Sequence, residues 1–109
     1  MLRMGMVIGI KPEKISTYRG LHAQAWPQVL AKMTEGNIRN FSIFLHEAEC
    51  LLSGYWEYHG GDLEKDMALV AADLKTQEWW ALTDECQRPL PGRAKSEHWA
   101  MMKEVFYHA

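Results

Sequence analysis

Asn40-Phe41-Ser42-Ile43-Phe44-Leu45-His46 and Leu51-Leu52-Ser53-Gly54-Tyr55-Trp56-Glu57-Tyr58 form the stretch that decides the fold. Both runs are strand-like, each with aromatic residues, and the polar Glu47-Ala48-Glu49 lies between them, so an antiparallel hairpin is expected. Working toward the N-terminus, Gly36-Asn37 is a helix stop. Before it, Ile15, Tyr18, His22, Ala25, Trp26, Val29, Leu30 and Met33 recur at the spacing of one helical face. Pro12 opens this long helix, expected over Glu13 to Glu35, and Pro27 inside it predicts a kink near Ala23. Met4 to Ile10 (MGMVIGI) reads as a buried strand, with Gly5 and Gly9 leaving room for a bulky neighbour.

Toward the C-terminus, Gly60-Gly61 breaks the chain and Asp62 is a good N-cap. It precedes a helix with Leu63, Met67, Val70, Ala71 and Leu74 on its inner face. Thr76 is expected to cap a further short helical segment carrying Trp79 and Trp80. The stretch Arg88-Pro89-Leu90-Pro91-Gly92-Arg93 is a loop, and Met101 to His108 has the composition of a last strand. The order β-α-β-β-α-β is that of a ferredoxin-like α+β sandwich over residues 1–109, a single domain. Two helices cover one face of such a sheet. The other face, bearing Phe44, Trp56 and Tyr58 or their alternates, predicts a homodimer packed sheet to sheet, a dimeric α+β barrel.

With 109 residues, 48% hydrophobic and 24% charged, the chain can bury a core and is not disordered. A formal net charge of -2 argues against nucleic acid as a partner. No apolar run reaches the roughly 20 residues of a membrane span. The N-terminal residues lack the pattern of a signal peptide, so a cytoplasmic location is expected. Cys50 and Cys86 are too few for a disulfide framework and lack the spacing of a metal site.

His22 is the candidate catalytic group, because imidazole exchanges protons near neutrality and Tyr18 brings a hydroxyl one turn away. The same spacing is compatible with a core histidine satisfied by a backbone carbonyl. Trp79-Trp80 could wall a ligand, or one could pack in the core and the other at an interface. His46, His59, His98 and His108 show no metal-pair spacing, so no metal is expected. Glu57, Asp73 and Glu104 are the noteworthy carboxylates, and those on strands must be exposed or paired. There is no glycine-rich phosphate loop, no G-x-S-x-G elbow and no nucleophilic cysteine context.

Tyr18…His22…Trp26-Pro27, Asn40 to Leu45, Glu78-Trp79-Trp80 and Glu104-Val105-Phe106-Tyr107 occur in order over nearly the whole chain. Together they resemble the L-rhamnose mutarotase family. The resemblance implies a cytoplasmic, homodimeric α+β barrel that interconverts the α and β anomers of a 6-deoxy sugar without a cofactor. It further implies that His22 is the proton donor and that Tyr18, Phe41, Trp79 and Trp80 contact the sugar. A member of that family carries tyrosine where this chain has Phe41, and this difference bears on which sugar is preferred. Residues around Tyr58 to Asp62 are additional, and the Arg88 to Ser96 loop differs in sequence. The same dimeric fold also serves small-molecule binding proteins and cofactor-free monooxygenases, which are the competing functional expectations.

Overall fold

The computed structural model describes residues 1–109. Strand β1 spans Leu2–Ile10, and a 3₁₀ turn at Pro12–Lys14 leads into helix α1, Ile15–Ala23. Helix α2 covers Pro27–Glu35, strand β2 Ile38–His46, strand β3 Leu51–Tyr58 and helix α3 Leu63–Ala71. Helix α4 runs over Leu74–Cys86, followed by the short strands β4, Gln87–Arg88, and β5, Ala100–Met102. The sheet is antiparallel in the order β2-β3-β1-β4, with β5 also pairing β1. This is the α+β, ferredoxin-like arrangement expected from the element order.

The single kinked helix expected over Glu13 to Glu35 is instead two helices. A proline disfavours helical backbone in the residue before it, so Trp26 is extended (φ −69°, ψ 124°) and Pro27 begins α2 at its first position. The break at residues 24–26 lets Trp26 turn toward α4. At the end of α2, Asn37 takes the left-handed conformation (φ 65°). Gly36 is needed for closeness instead, since a Cβ there would lie 2.5 Å from Val70 Cγ2 on α3.

Asp62 caps α3 as expected, accepting from the Lys65 N–H at 3.1 Å. The next cap is Asp73, not Thr76: its carboxylate accepts from both the backbone N–H (2.9 Å) and the hydroxyl (2.8 Å) of Thr76. Helix α4 is therefore 13 residues long. Leu74 starts it and is exposed, so it does not belong to the inner face of α3.

Opposite pairs Ile8–Leu52, Met6–Gly54 and Met4–Trp56 point to the helix-covered face. Ile8, Ile10, Leu52, Tyr18 and Cys86 make the buried core. Trp56 and Tyr58 also face inward, so the alternates Ser53, Tyr55 and Glu57 look outward with Phe44. The last strand, expected over Met101 to His108, forms only at Met101 and Met102 within β5, and β4 lies outside any expected strand. β4 pairs the end of β1 and β5 pairs its middle, while the residues after Met102 leave the ladder. They are tied back through Glu104, whose carboxylate accepts from Arg3 at 2.7 and 3.0 Å, and Arg3 also stacks on the Tyr107 ring. Gly9 leaves no spare room, because a Cβ there would meet the Arg88 carbonyl at 2.5 Å.

Candidate active site

Between the helices and the sheet lies a cavity of about 750 Å³, and 20 of its 27 lining residues are hydrophobic. Its polar residues all come from α1, α4, β4 and the segment before β5, whereas α2, α3, β2 and β3 contribute only apolar side chains. Chemistry is thus confined to one side of an otherwise greasy space, the usual design of a small-molecule site.

Tyr18 and His22 are one turn apart on α1 and both line the cavity. Their rings approach to 4.3 Å, and the His22 ring meets the edge of Trp79 at 5.2 Å. Trp26, released by the helix break, packs on the other side of Trp79 at 5.3 Å. His22 Nδ1 lies 2.9 Å from the Tyr18 carbonyl oxygen. A carbonyl only accepts, so Nδ1 carries hydrogen and Nε2 is the ring's working nitrogen. His22 therefore makes the backbone bond of a core histidine and still keeps Nε2 free of any protein partner beside open space.

Adjacent Trp79 and Trp80 divide as helical geometry demands, about 100° apart on α4. Trp79 is buried, while Trp80 lines the cavity and is 41% exposed. Phe41 reaches the cavity from the bulged part of β2 and is similarly exposed, opposite the polar side. All five sequence-predicted site residues thus line one cavity, with His22 in contact with both Tyr18 and Trp79.

Three further polar residues were not singled out from the sequence as site groups. Gln87 is almost wholly buried at the start of β4, and its amide N–H donates to the Tyr18 hydroxyl oxygen at 3.3 Å. Its carbonyl oxygen is 2.8 Å from His98 Nε2, which also lies 3.2 Å from an Asp84 carboxylate oxygen. A glutamine at a helix end has no periodic signature, and His98 sits in a loop, so spacing could not find them. Burial pushes the Tyr18 phenol up to about 12, against the opposing pull of the Gln87 bond. Tyr18 therefore holds its proton at neutral pH. No group of three His, Cys, Asp or Glu side chains is placed to hold a metal ion.

The family model of L-rhamnose mutarotase matches residues 3–108. This chain belongs to the L-rhamnose mutarotase family. Members are isomerases that interconvert anomers. The L-rhamnose mutarotase of Mannheimia succiniciproducens is 27% identical over 107 residues, covering 98% of both chains. The solved L-rhamnose mutarotase of Formosa agariphila superposes with a TM-score of 0.78 at 21% identity over the full length of both. A solved antibiotic biosynthesis monooxygenase shares the fold more distantly, with a TM-score of 0.60 at 15% identity over 96% of this chain and 99% of that one. The fold is thus common to different chemistries, and family membership favours the mutarotase over the competing expectations. No helix is long and apolar enough to cross a membrane.

Proposed function

We propose that the chain interconverts the α and β anomers of L-rhamnose or a related 6-deoxy hexose, with His22 as the proton-transfer group. The observation that carries this is His22 Nε2, left without a protein partner beside the cavity while Nδ1 is fixed on the Tyr18 carbonyl. Mutarotation needs a proton delivered to the ring oxygen and one passed from the anomeric hydroxyl to a base, a role that a water molecule in the cavity fills. The C1–ring-oxygen bond then breaks, C1–C2 rotates, and closure on the other carbonyl face returns both protons. His22 in its doubly protonated form delivers the first proton through Nε2 and recovers it on closure. Tyr18 hydrogen-bonds the sugar, while Trp79 and Trp80 offer ring faces to its C–H surfaces. Phe41 supplies an apolar contact from the far wall.

The reading extends to a cytoplasmic homodimer. The outward sheet face carries Phe44, 65% exposed, and Val105 and Phe106 near the C-terminus are more exposed still. Apolar side chains so placed favour a second copy as cover.

Saturation-transfer NMR of anomeric exchange across L-rhamnose, L-fucose and related sugars tests the function. One placed proton-transfer group contributes about 10²–10⁴-fold, so His22→Ala is expected to lose that much with its fold retained. Wild-type exchange rates in His22→Ala would remove His22 from the mechanism.

A further inference from the structure

We infer that His98 and Gln87, biased by the nearby Asp84 carboxylate, form a directional hydrogen-bond chain that makes the Tyr18 hydroxyl a donor toward the sugar, with Gln87 and His98 as positioning residues. The inference rests on the mutarotase reading of the cavity and adds residues to it.

The direction follows from which atoms can only accept. The Asp84 carboxylate lies 3.2 Å from His98 Nε2, where a bare lone pair on that nitrogen would face negative charge, so Nε2 carries a hydrogen. That N–H donates to the Gln87 side-chain oxygen at 2.8 Å, which identifies the oxygen end of the amide. The NH₂ end must then face Tyr18, and it donates to the hydroxyl oxygen at 3.3 Å. Tyr18 accepts this bond, so its own proton points elsewhere. No protein acceptor takes it, and His22 bonds the backbone carbonyl of Tyr18, not its hydroxyl. The remaining direction is the cavity that Tyr18 lines.

The arrangement is costly unless it is used. Gln87 is 5% exposed and pairs with Ile10, beside the core of Ile8, Leu52 and Cys86. A buried amide must have both ends satisfied, and an apolar side chain of its size would hold this strand with less risk. Its two bonds connect a residue of the loop before β5 to the hydroxyl next to His22. A tyrosine fixed as donor suits a sugar oxygen that can only accept, which is the property of a pyranose ring oxygen. Were the amide reversed, Tyr18 would give its proton to Gln87 and offer the sugar only lone pairs.

The test combines nitrogen NMR with substitution. The ¹⁵N shifts of the neutral His98 ring, assigned by their loss in His98→Gln, are expected to report hydrogen on Nε2; hydrogen on Nδ1 alone would overturn the chain. Gln87→Met is expected to lower anomeric exchange about tenfold. Gln87→Glu should lower it further, since a carboxylate draws the Tyr18 proton away from the sugar. In a Tyr18→Phe background Gln87→Met should have no further effect. His98→Gln, which keeps an N–H near the same place, should stay close to wild type, and His98→Phe should resemble Gln87→Met. An equal loss from Gln87→Met with and without the Tyr18 hydroxyl, or no loss at all, would overturn the role. If Gln87→Met does not fold, the His98 pair and the ring nitrogens decide. A wild-type protein that exchanges no sugar would defeat the mutarotase reading alone, because the tautomer is read without substrate.

Discussion

The two faces of the sheet treat polar groups in opposite ways. On the outward face, Glu57 takes hydrogen bonds from His59, Asn40 and Tyr55, and Arg3 grips Glu104 with two nitrogens while stacking on Tyr107. These groups satisfy one another. Three donors on one carboxylate hold Glu57 down at about 2. On the cavity side, a histidine and a tyrosine each use one bond for positioning and keep another for something outside the protein. The difference separates polar groups that hold the fold from those poised to act: the first are bonded to one another, the second keep a bond aimed at open space.

The adjacent tryptophans give the largest expected contrast within the cavity wall. Trp79→Ala should cost about 3–5 kcal/mol of stability in denaturant unfolding, as a buried ring wedged between His22 and Trp26 leaves a cavity behind. Trp80→Ala should cost about 1 kcal/mol or less. Both should weaken sugar binding followed by Trp fluorescence, and a stability loss in Trp80→Ala matching that of Trp79→Ala would erase the distinction between buried and rim positions.

The outward face is tested by acid. The Glu57 pKa is depressed in the folded chain, so the stability it contributes is present above its unfolded value near 4.5 and is lost as pH falls through about 2. Glu57→Gln should therefore flatten the acid limb of the stability profile in that window and leave anomeric exchange at neutral pH unchanged. An altered exchange rate would mean that the two faces are coupled. Tyr18 works at the other extreme: its pKa is raised from 10.0 to about 12, so its contribution is complete below 10 and fades as pH rises through about 12.

The smallest effect belongs to the apolar wall. Phe41→Tyr adds one hydroxyl to an apolar wall of the cavity, and a net hydrogen bond of about 1 kcal/mol changes relative KM values among 6-deoxy sugars by about fivefold. Identical sugar preference in both forms would remove Phe41 from specificity.

Much of this was legible along the chain. The strand-like runs placed β3 and the hairpin turn correctly, with β2 beginning two residues earlier than Asn40, and helical spacing brought Tyr18 and His22 onto one face. Asp62 announced a cap. Where local reading failed, two signals competed. Pro27 was compatible with a kink, but the preference of the residue before it for extended backbone produced a full break. Trp56 and Tyr58 alternate correctly with their neighbours, yet alternation alone does not say which set faces the helices. Thr76 and Asp73 are both capping residues, and the carboxylate three positions earlier took the role.

By itself, the sequence determined the order of strands and helices, the pairing of an imidazole with a phenol one turn away, and the family. Periodicity and capping act between residues close in the chain, so they are written locally. Only the tertiary structure decided which sheet face is inward, how short the final strand is, and that Gln87 meets both Tyr18 and His98 from distant positions. Those outcomes depend on side chains brought within hydrogen-bonding distance by packing, and no spacing along a single strand or helix encodes such meetings.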